Sequence, residues 1–487
     1  MNLNLRDAKL FRQQCYIDGA WTGSTTGRSF KVNNPADGSI LGTVPELTAE
    51  ETRNAITAAD GAFREWSRKP AKERASVLRV WLDLIREHAE DLATLLTTEQ
   101  GKPLAESAGE IGMGCGMLEW FLEEGKRIYG DTIPTPANDR RIVVIKQPVG
   151  VVASITPWNF PHGMIMRKCS PALAAGCTVV IKPASMTPYS ALALAELADR
   201  AGIPKGVLNV VTGAASEVGG ELTSNPIVRK LSFTGSTEVG KVLMRQCADT
   251  VKKLSLELGG NAPFVVFDDA DLDQAVDGLI ASKFRNSGQT CVCANRVFAQ
   301  DSIYDEFLSR FAQAASALKV APGLDRESTQ GPLINADGVE KVERLVKDAL
   351  ERGARIVLGG KRHERGGTFY EPTVLADVTM DMDVAREEIF GPVAPVIRFT
   401  TEDEAIRLAN DTEYGLAAYF YARDMGRVWR VAEGLESGVV GINVGVSASE
   451  VAPFGGWKES GIGREGSKYG IDEFVEIKYL CVGGVDR

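Results

Sequence analysis

The sequence has few of the residues that build metal centres or disulfide frameworks. Its three histidines, at positions 88, 162 and 363, are far apart in a chain of 487 residues. Its eight cysteines are also scattered, at positions 15, 115, 169, 177, 247, 291, 293 and 481. The pair at 291 and 293 has C-x-C spacing, which is not the usual C-x₂-C spacing of a zinc site, and no second pair exists. We therefore predict no metal, and reduced thiols instead of the disulfides of a secreted domain.

Long apolar runs and an excess of positive charge are missing as well. No stretch approaches the roughly 18 uncharged apolar residues of a membrane span, and the start, MNLNLRDAKLFRQQ, has no apolar signal-peptide region. Lys and Arg number 55 against 65 Asp and Glu, so the net charge of -10 does not attract nucleic acid or an anionic membrane. We expect a cytoplasmic protein with a small-molecule ligand, no nucleic-acid partner and no membrane partner.

The chain does contain enough apolar material for two or three domains. Hydrophobic residues make up 44% of its 487 residues, and a domain typically takes roughly 100 to 200 residues. The first third has helical periodicity, beginning where Thr48 and Glu51 have the spacing of a capping box. From about 140 to 258, short apolar strands alternate with helical stretches, and a second such pattern follows from about 259. Such alternation predicts an α/β fold with parallel sheets.

A glycine-rich turn, FTGSTEVGK (233–241), follows one of these strands and opens a helix. Backbone N–H groups at such a helix start can receive phosphate oxygens. The turn matches the first seven positions of a P-loop, but Val242 replaces the hydroxyl residue that would hold magnesium. Ser236 and Thr237 also break the G-x-G-x-x-G dinucleotide fingerprint. A P-loop-like nucleotide hydrolase is one alternative that the turn leaves open and Val242 disfavours.

Seven motifs in a fixed order carry more information than any one of them. They are TPWNFP (156–161), IKPASMTP (181–188), FTGSTEVG (233–240), LELGGNAP (256–263), GQTCVCANR (288–296), EEIFGPV (387–393) and PFGGWKESGIGREGSKYG (453–470). The set resembles the NAD(P)-dependent aldehyde dehydrogenase family, and the resemblance runs from IDGAW at residue 17 to the last predicted strand. The CVC pair and the GREGSKYG ending are most similar to bacterial members that oxidise succinate semialdehyde.

This resemblance implies an aldehyde dehydrogenase-like fold with three parts. They are a Rossmann-type cofactor domain (1–127, 150–258 and about 461–471), an α/β catalytic domain (259–460) and a small β oligomerisation arm (128–149 and 472–487). In the arm, RRIVVIK and DEFVEIKYLCVG are predicted strands whose edges would be exposed unless covered. We therefore expect a homo-oligomer, either a dimer or a tetramer.

The resemblance also assigns three catalytic residues. Cys291 is the expected nucleophile, which would form a thiohemiacetal and, after hydride passes to the nicotinamide, a thioester that water hydrolyses. The Asn159 amide, with the Cys291 backbone N–H, is the expected oxyanion donor. In the strand LSLEL the leucines share one face and Glu257 lies on the other, so Glu257 need not be a core residue, and the resemblance makes it the general base. Taken singly, each would more often be a structural residue.

For the cofactor, the resemblance implies NADP, with NAD also usable. Lys182 follows a strand and could pair with a ribose hydroxyl or a 2′-phosphate. Ser185 stands where NAD-preferring relatives tend to have a glutamate, whose charge would repel that phosphate. The other residues expected to contact the cofactor are Thr156, Pro157, Trp158, Gly235, Ser236, Glu388 and Phe390.

The expected substrate is a small semialdehyde with a terminal carboxylate, because Arg167 and Arg285 match arginines that bind succinate semialdehyde in the family. Ala448 replaces a serine that close relatives place against the carboxylate, although Ser447 and Ser449 flank it, and Ser449 is the predicted substrate-binding residue. The prediction is oxidation of succinate semialdehyde to succinate, a reaction of 4-aminobutyrate degradation. Alternatives are glutarate semialdehyde, 2-oxoglutarate semialdehyde or a broad range of aldehydes.

Two further hypotheses concern Cys291. Cys293 is a candidate redox partner, although side chains two apart on an extended strand diverge beyond the usual Cβ separation of about 4 Å, so a mobile loop would have to close the disulfide. A catalytically silent relative of the family is the other alternative. The presence of Cys291, Glu257 and Asn159 together disfavours a silent protein.

Overall fold

The computed structural model describes residues 3–485. Met1 and Asn2 of the predicted cofactor domain, and Asp486 and Arg487 of the predicted arm, lie outside the described residues.

Two short hairpins and four helices form the first part of the chain. Thr48 begins the first helix as expected, because its side chain accepts from the Glu51 N–H and the Glu51 side chain accepts from the Thr48 N–H. This capping box satisfies two backbone donors at the helix start. The strands are β1 (Cys15–Ile17), β2 (Ala20–Thr22), β3 (Ser29–Asn33) and β4 (Ile40–Pro45), and the helices are α1 (Ala49–Arg68), α2 (Ala71–Glu87), α3 (Ala89–Gln100) and α4 (Leu104–Glu124).

Strands and helices then alternate around an eight-stranded sheet. The elements are β5 (Asp131–Ile133), β6 (Arg140–Pro148), β7 (Val151–Ile155), α5 (Pro161–Ala175), β8 (Thr178–Lys182), α6 (Tyr189–Arg200), β9 (Leu208–Val210), α7 (Gly220–Ser224), β10 (Val228–Thr234), α8 (Thr237–Ala248) and β11 (Lys253–Glu257). The sheet order is β2-β1-β9-β8-β7-β10-β11-β21, where β21 is Gly461–Ile462. The five strands from β9 to β11 are parallel. One face packs on helices through buried Trp81, Leu118, Ile165 and Leu194.

A second sheet of seven strands follows, and only its edge strand β14 is antiparallel to its neighbour. Its order is β14-β15-β16-β13-β12-β18-β19. β17 and β20 form a separate two-stranded sheet, and β22 pairs elsewhere. The α-helices and strands from residue 262 onwards, apart from β21, are β12 (Ala262–Val266), α9 (Leu272–Lys283), β13 (Ala294–Gln300), α10 (Tyr304–Ser316), α11 (Ala336–Glu351), β14 (Arg355–Leu358), β15 (Thr373–Ala376), α12 (Asp383–Arg386), β16 (Val393–Phe399), α13 (Glu402–Asn410), β17 (Tyr414–Gly415), β18 (Ala417–Tyr421), α14 (Met425–Gly434), β19 (Val439–Ile442), β20 (Trp457–Lys458), α15 (Ser467–Asp472) and β22 (Val475–Gly483).

The last strand joins the predicted arm. β22 pairs with β6 antiparallel along its whole length, from Val475 opposite Pro148 to Gly483 opposite Arg140, and β5 pairs with the other side of β6. Several apolar side chains of β22 are exposed, Ile477 by 72% and Tyr479 by 59%. The oligomerisation role of this sheet and the limits of the three domains stay predictions.

The two sheets face each other at their edges and thereby position the site. β7, β10 and β11 are parallel, so the residues that follow them emerge at one edge of the first sheet. The segments that lead into β12 and β13 approach the same place from the second sheet. In open α/β sheets this carboxyl edge is where ligands bind. Within residues 3–485, none of the helices has the length and apolar character that a membrane-crossing segment needs.

Candidate active site

A cavity of about 620 Å³ lies between these two edges. Its walls combine loops that follow β7 and β10 with the loop before β13 and the sides of α4 and α11. Predicted site residues that line it are Pro157, Trp158, Asn159, Arg167, Gly235, Ser236, Arg285, Cys291, Glu388 and Phe390. Predicted site residues that do not line it are Thr156, Lys182, Ser185, Glu257, Cys293 and Ser449.

Asn159 lies in the loop after β7, and both its side-chain amide and its backbone carbonyl are hydrogen-bonded. Its side chain is 5% exposed, and Nδ2 donates to the Gln289 carbonyl at 3.0 Å. Its own backbone carbonyl accepts from Lys102 Nζ at 2.7 Å and from Asn286 Nδ2 at 3.1 Å. A carboxamide nitrogen carries two hydrogens, so one remains for a group in the cavity.

Cys291 is a half-buried free thiol in the loop between α9 and β13. The loop is sharply turned, because Asn286, Ser287 and Gly288 have positive φ of 51°, 57° and 75°. A Cβ at Gly288 would lie 2.1 Å from the Gly391 carbonyl oxygen, so the backbone fits only as glycine. Burial, and then the carboxylates of Glu388 and Glu257, raise the pKa of the Cys291 thiol to about 12. The thiol is therefore protonated at neutral pH and needs a base.

Glu257 is the last residue of β11 and is only 3% exposed. The alternation of LSLEL places it on the face opposite the leucines, but that face is also buried at this position. Its Oε2 has no hydrogen-bond partner among residues 3–485. Burial, and then the negative charge of Glu465, raise the pKa of Glu257 well above its usual range. Lys168 Nζ donates to Glu465 Oε1 at 2.6 Å beside it. A carboxyl with a raised pKa is better matched to proton transfer near neutral pH.

Two arginines line the cavity without a firm carboxylate partner. Arg167, on α5, is 3% exposed, and its Nε is 3.8 Å from Glu465 Oε2, which is too long for a hydrogen bond. Arg285 is half-buried, and neither arginine's Nε has a hydrogen-bond partner within the described part of the chain. Their guanidinium carbons lie 4.2 Å and 5.4 Å from the ring centroids of Phe454 and Phe160. A carboxylate entering the cavity would meet two available guanidinium groups.

Ala448, in the loop after β19, lines the same cavity as these arginines, whereas Ser449 does not. The Ser449 hydroxyl instead donates to Glu450 Oε2 at 3.3 Å. The substrate-binding role of Ser449 stays a prediction.

The loop after β10 has features of a phosphate-binding turn. A Cβ at Gly235 would lie 2.4 Å from the Phe233 ring, so this position favours glycine. Because glycine has no side chain, the backbone before α8 is not covered at this residue. Ser236 caps α8 by accepting from the Val239 N–H at 3.4 Å, and such a helix start receives phosphate oxygens. Thr234 Oγ1, on the cavity wall, is buried without a hydrogen-bond partner among residues 3–485.

The other residues predicted to contact the cofactor come from both sheets, with Lys182 and Ser185 at or after the end of β8 and Glu388 and Phe390 before β16. Lys182 ends β8, is 8% exposed, and has a pKa that burial lowers, so an anion beside it would be stabilising. Ser185 is exposed nearby in the chain. Glu388 Oε1 accepts from the Gly260 N–H at 3.1 Å, and burial raises the Glu388 pKa to about 7. Trp158 and Phe390 make an edge contact with ring centroids 5.4 Å apart.

Comparison with known proteins agrees with this arrangement. Residues 21–480 match the sequence profile described as the aldehyde dehydrogenase family. The chain belongs to this family. The predicted family and α/β fold class are thereby confirmed, and the chain is an oxidoreductase of the aldehyde dehydrogenase type.

Curated relatives match this aldehyde dehydrogenase over nearly its whole length. A glutarate-semialdehyde dehydrogenase of Pseudomonas aeruginosa is 63% identical over 99% of this chain and 100% of its own. A succinate-semialdehyde dehydrogenase [NADP(+)] of Escherichia coli is 62% identical with the same coverage. The crystal structure of succinate-semialdehyde dehydrogenase from Burkholderia pseudomallei superposes with a TM-score of 0.98 at 61% identity, covering 99% of this chain and 100% of that one.

Some residues that line the cavity of this aldehyde dehydrogenase belong to no motif that predicted a site residue. Met113 and Glu106 reach the cavity from α4, and Asp337 and Lys341 reach it from α11. The spacing of Asp337 and Lys341 places them on one helix face, but nothing in the sequence says what that face meets. Lys341 Nζ donates to the Glu388 backbone carbonyl at 2.6 Å, which ties α11 to a predicted cofactor residue.

Cys293 is 5% exposed and lies outside the cavity lining. Its Sγ donates to the Gly288 carbonyl at 3.3 Å, and Lys283 Nζ lies 3.9 Å from the same sulfur. Among residues 3–485 no group of three or more His, Cys, Asp or Glu side chains could hold a metal ion.

Proposed function

We propose that this aldehyde dehydrogenase oxidises semialdehydes that end in a carboxylate, with succinate semialdehyde as the main substrate and succinate as the product. The observation that supports this most is the shared cavity of Cys291, Arg167 and Arg285. The arginines offer two guanidinium groups to the carboxylate while the aldehyde lies towards the thiol. The names of the relatives from Escherichia coli and Pseudomonas aeruginosa, which refer to succinate and glutarate semialdehydes, support the same substrate class.

In the first step, the Cys291 sulfur adds to the aldehyde carbon and forms a thiohemiacetal. The thiol is protonated at rest, because burial raises its pKa to about 12. Its proton passes to Glu257, whose raised pKa makes it a stronger base than an exposed carboxylate. Glu257 is outside the cavity lining, so we propose that it acts through a small side-chain movement or through one water molecule.

Addition turns the aldehyde oxygen into an oxyanion. The free hydrogen of the Asn159 amide and the Cys291 backbone N–H are the proposed donors. Because the Gln289 carbonyl already holds the Asn159 amide at 3.0 Å, this donor needs little reorganisation when the charge develops. Removing one such donor typically lowers kcat by about 10² to 10³.

NADP is the proposed cofactor, with NAD as a usable second. When bound, it supplies the hydride acceptor that converts the thiohemiacetal into a thioester. Residues of this chain proposed to hold it are Thr156, Pro157, Trp158, Lys182, Ser185, Gly235, Ser236, Glu388 and Phe390. Lys182 would pair with the 2′-phosphate, and the uncharged Ser185 would not repel it. The cofactor in the name of the Escherichia coli relative supports this preference.

Before the last step, Glu257 releases to solvent the proton that it took from the thiol. In the last step the Glu257 carboxylate takes a proton from water, which attacks the thioester carbon and releases the acid. The Cys291 sulfur leaves as a thiolate and is protonated again. Arg167 and Arg285 hold the substrate carboxylate during both steps, so the reacting carbon stays within reach of the sulfur.

Glutarate semialdehyde is the second candidate substrate. Ala448 lines the cavity where the family's pattern has a serine, and the loss of a hydroxyl leaves room for a longer chain. The Pseudomonas aeruginosa relative has glutarate semialdehyde in its name. 2-Oxoglutarate semialdehyde belongs to the same class, and Ser449 is the remaining hydroxyl proposed for its carboxylate.

The proposal also covers the protein's location, assembly, pathway and redox control. We propose a cytoplasmic homotetramer, with a dimer as the alternative, that acts in 4-aminobutyrate degradation. Cys293 is proposed as a redox partner of Cys291, forming a disulfide when peroxide takes up the two electrons and two protons of the thiols, and this requires Cys293 to leave its contact with the Gly288 carbonyl.

Steady-state kinetics with NADP and with NAD test the proposed function. Succinate semialdehyde, glutarate semialdehyde and uncharged butanal are compared, and cofactor reduction is followed by absorbance. We expect the highest kcat/KM for succinate semialdehyde with NADP, and no turnover by Cys291→Ala. A higher kcat/KM for butanal than for both semialdehydes, or turnover by Cys291→Ala, would overturn the proposal.

A further inference from the structure

Two loops meet behind the reacting groups, and one side chain is bonded to both. They are residues 156–160, which contain Asn159, and residues 285–290, which lead to Cys291. Asn286 Nδ2 donates to the backbone carbonyl of Asn159 at 3.1 Å and to that of Gln289 at 3.2 Å. The Gln289 carbonyl also accepts from the Asn159 side chain at 3.0 Å. Asn286 thus ties the loop of the oxyanion donor to the loop of the thiol.

Asn286 is itself fixed on every polar atom. It is 0% exposed, its N–H donates to Glu106 Oε2 at 2.7 Å, and its Oδ1 accepts from Gln100 Nε2 at 2.9 Å. Its φ of 51° and ψ of 36° are left-handed, a conformation that asparagine tolerates better than most residues. With no polar atom left for a ligand, Asn286 can act only through the groups it holds.

A buried ion pair holds the same backbone carbonyl of Asn159. Lys102 Nζ donates to the Asn159 carbonyl at 2.7 Å and to Glu110 Oε2 at 2.6 Å. The two side chains are 0% and 1% exposed. Glu110 Oε1 accepts from the N–H groups of His162 and Gly163 at 3.0 Å and 2.9 Å. The pair therefore anchors the start of α5, directly after Asn159.

We propose that Asn286 is a positioning residue for the oxyanion donor, setting the separation between the Asn159 amide and Cys291, with the Lys102–Glu110 pair as its support. This inference rests on the proposed function. An oxyanion donor is effective only when it is oriented before the charge develops. Without Asn286, the Gln289 carbonyl loses one of its two donors, and the two loops keep only the direct bond from the Asn159 amide to the Gln289 carbonyl, so the Asn159 amide can turn away from the oxyanion.

The test compares Asn286→Ala with Asn209→Ala. Asn209 is a matched control, because it is also 0% exposed and its Nδ2 also donates to two backbone carbonyls, at 2.8 Å and 3.3 Å, in the first sheet. We expect both variants to lose thermal stability. Only Asn286→Ala should lower kcat, by about tenfold or more, with KM within about twofold, because the missing interaction acts in the transition state. The loss should be the same for succinate semialdehyde and butanal.

A double-variant cycle separates positioning from general damage. If Asn286 acts through the Asn159 amide, adding Asn286→Ala to Asn159→Ala should cost little further kcat. Multiplying losses would overturn the proposal. Gln100→Leu preserves volume but removes the donor to Asn286 Oδ1, and it should show a smaller kcat loss with the same unchanged KM. This variant decides the question if Asn286→Ala does not fold.

The outcomes also separate this inference from the proposed function. If the unchanged enzyme oxidises succinate semialdehyde and Asn286→Ala and Gln100→Leu retain full kcat, only the positioning role is overturned. If the unchanged enzyme oxidises neither aldehyde, the proposed function and the positioning role are both overturned.

Discussion

Burial disfavours the charged forms of two acids of the site, Cys291 and Glu257. The pKa of the thiol is raised to about 12, and that of the carboxyl is raised well above its usual range. Both shifts come first from desolvation, because an ion is costly in a buried site. At the scale of single residues, the proposed chemistry therefore depends on the pH at which Glu257 becomes a base.

The first prediction concerns pH. Because the pKa of Glu257 is raised, the carboxyl is protonated at acidic pH and becomes a base only as the pH rises. We expect kcat/KM for succinate semialdehyde to rise with pH, over a range that lies above the usual titration range of a glutamate. Glu257→Gln should remove this rise and lower kcat by about 10² to 10⁴. Glu364→Gln, at an exposed position, is the control; a pH profile unchanged in Glu257→Gln would contradict the assigned role.

The second prediction concerns the carboxylate of the substrate. Arg285→Ala removes one of two guanidinium groups in the cavity. A hydrogen bond to a charged group contributes about 1.5 to 3 kcal/mol, so kcat/KM for succinate semialdehyde should fall by roughly 10- to 100-fold. Butanal has no carboxylate and should lose far less. Equal losses on both aldehydes would assign Arg285 a structural role, and exposed Arg407→Ala controls for the loss of charge.

At the scale of elements, the turn before β13 sets the position of the Cys291 thiol. Three successive residues with positive φ reverse the chain between α9 and Cys291. The motif GQTC predicted a nucleophile, but no local pattern predicted two left-handed non-glycine residues, Asn286 and Ser287. Their conformation depends on bonds to groups far away in the sequence, such as Glu106 and Gly331.

The third prediction tests this turn. Gly288→Ala combines a φ of 75° with a Cβ that would lie 2.1 Å from the Gly391 carbonyl oxygen. Gly366 has a φ of 70° but open space around it, so Gly366→Ala carries the backbone strain without the clash. We expect Gly366→Ala to lose about 1 to 2 kcal/mol of unfolding free energy. Gly288→Ala should lose more and also lose activity, as measured by chemical denaturation and kcat. Equal losses would contradict the close packing of this turn.

At the scale of the whole molecule, the three-stranded sheet of β5, β6 and β22 has two edge strands, β22 and β5. The longer of them, β22, exposes Ile477, Tyr479 and Val482. Exposed edges of this kind pair with another chain or are covered by one.

The fourth prediction concerns assembly. Because Ile477 and Tyr479 are exposed by 72% and 59%, replacing both by lysine should shift the proposed oligomer towards smaller species. Light scattering coupled to size-exclusion chromatography measures the mass. Val251, exposed by 89% between α8 and β11 and not part of this sheet, gives the control Val251→Lys. An unchanged mass in the double variant would show that the arm does not join subunits.

The sequence alone determined the family, the α/β alternation and the positions of the thiol, the amide and the carboxyl. These follow from short motifs and from periodicity, which are local in the chain. Only the tertiary structure decided which of these residues share a cavity. It also decided that α4 and α11 wall the site, and that Asn286 and Lys102 hold Asn159. Burial and hydrogen bonds between distant segments exist only after the two sheets meet, so no local pattern in the sequence could show them.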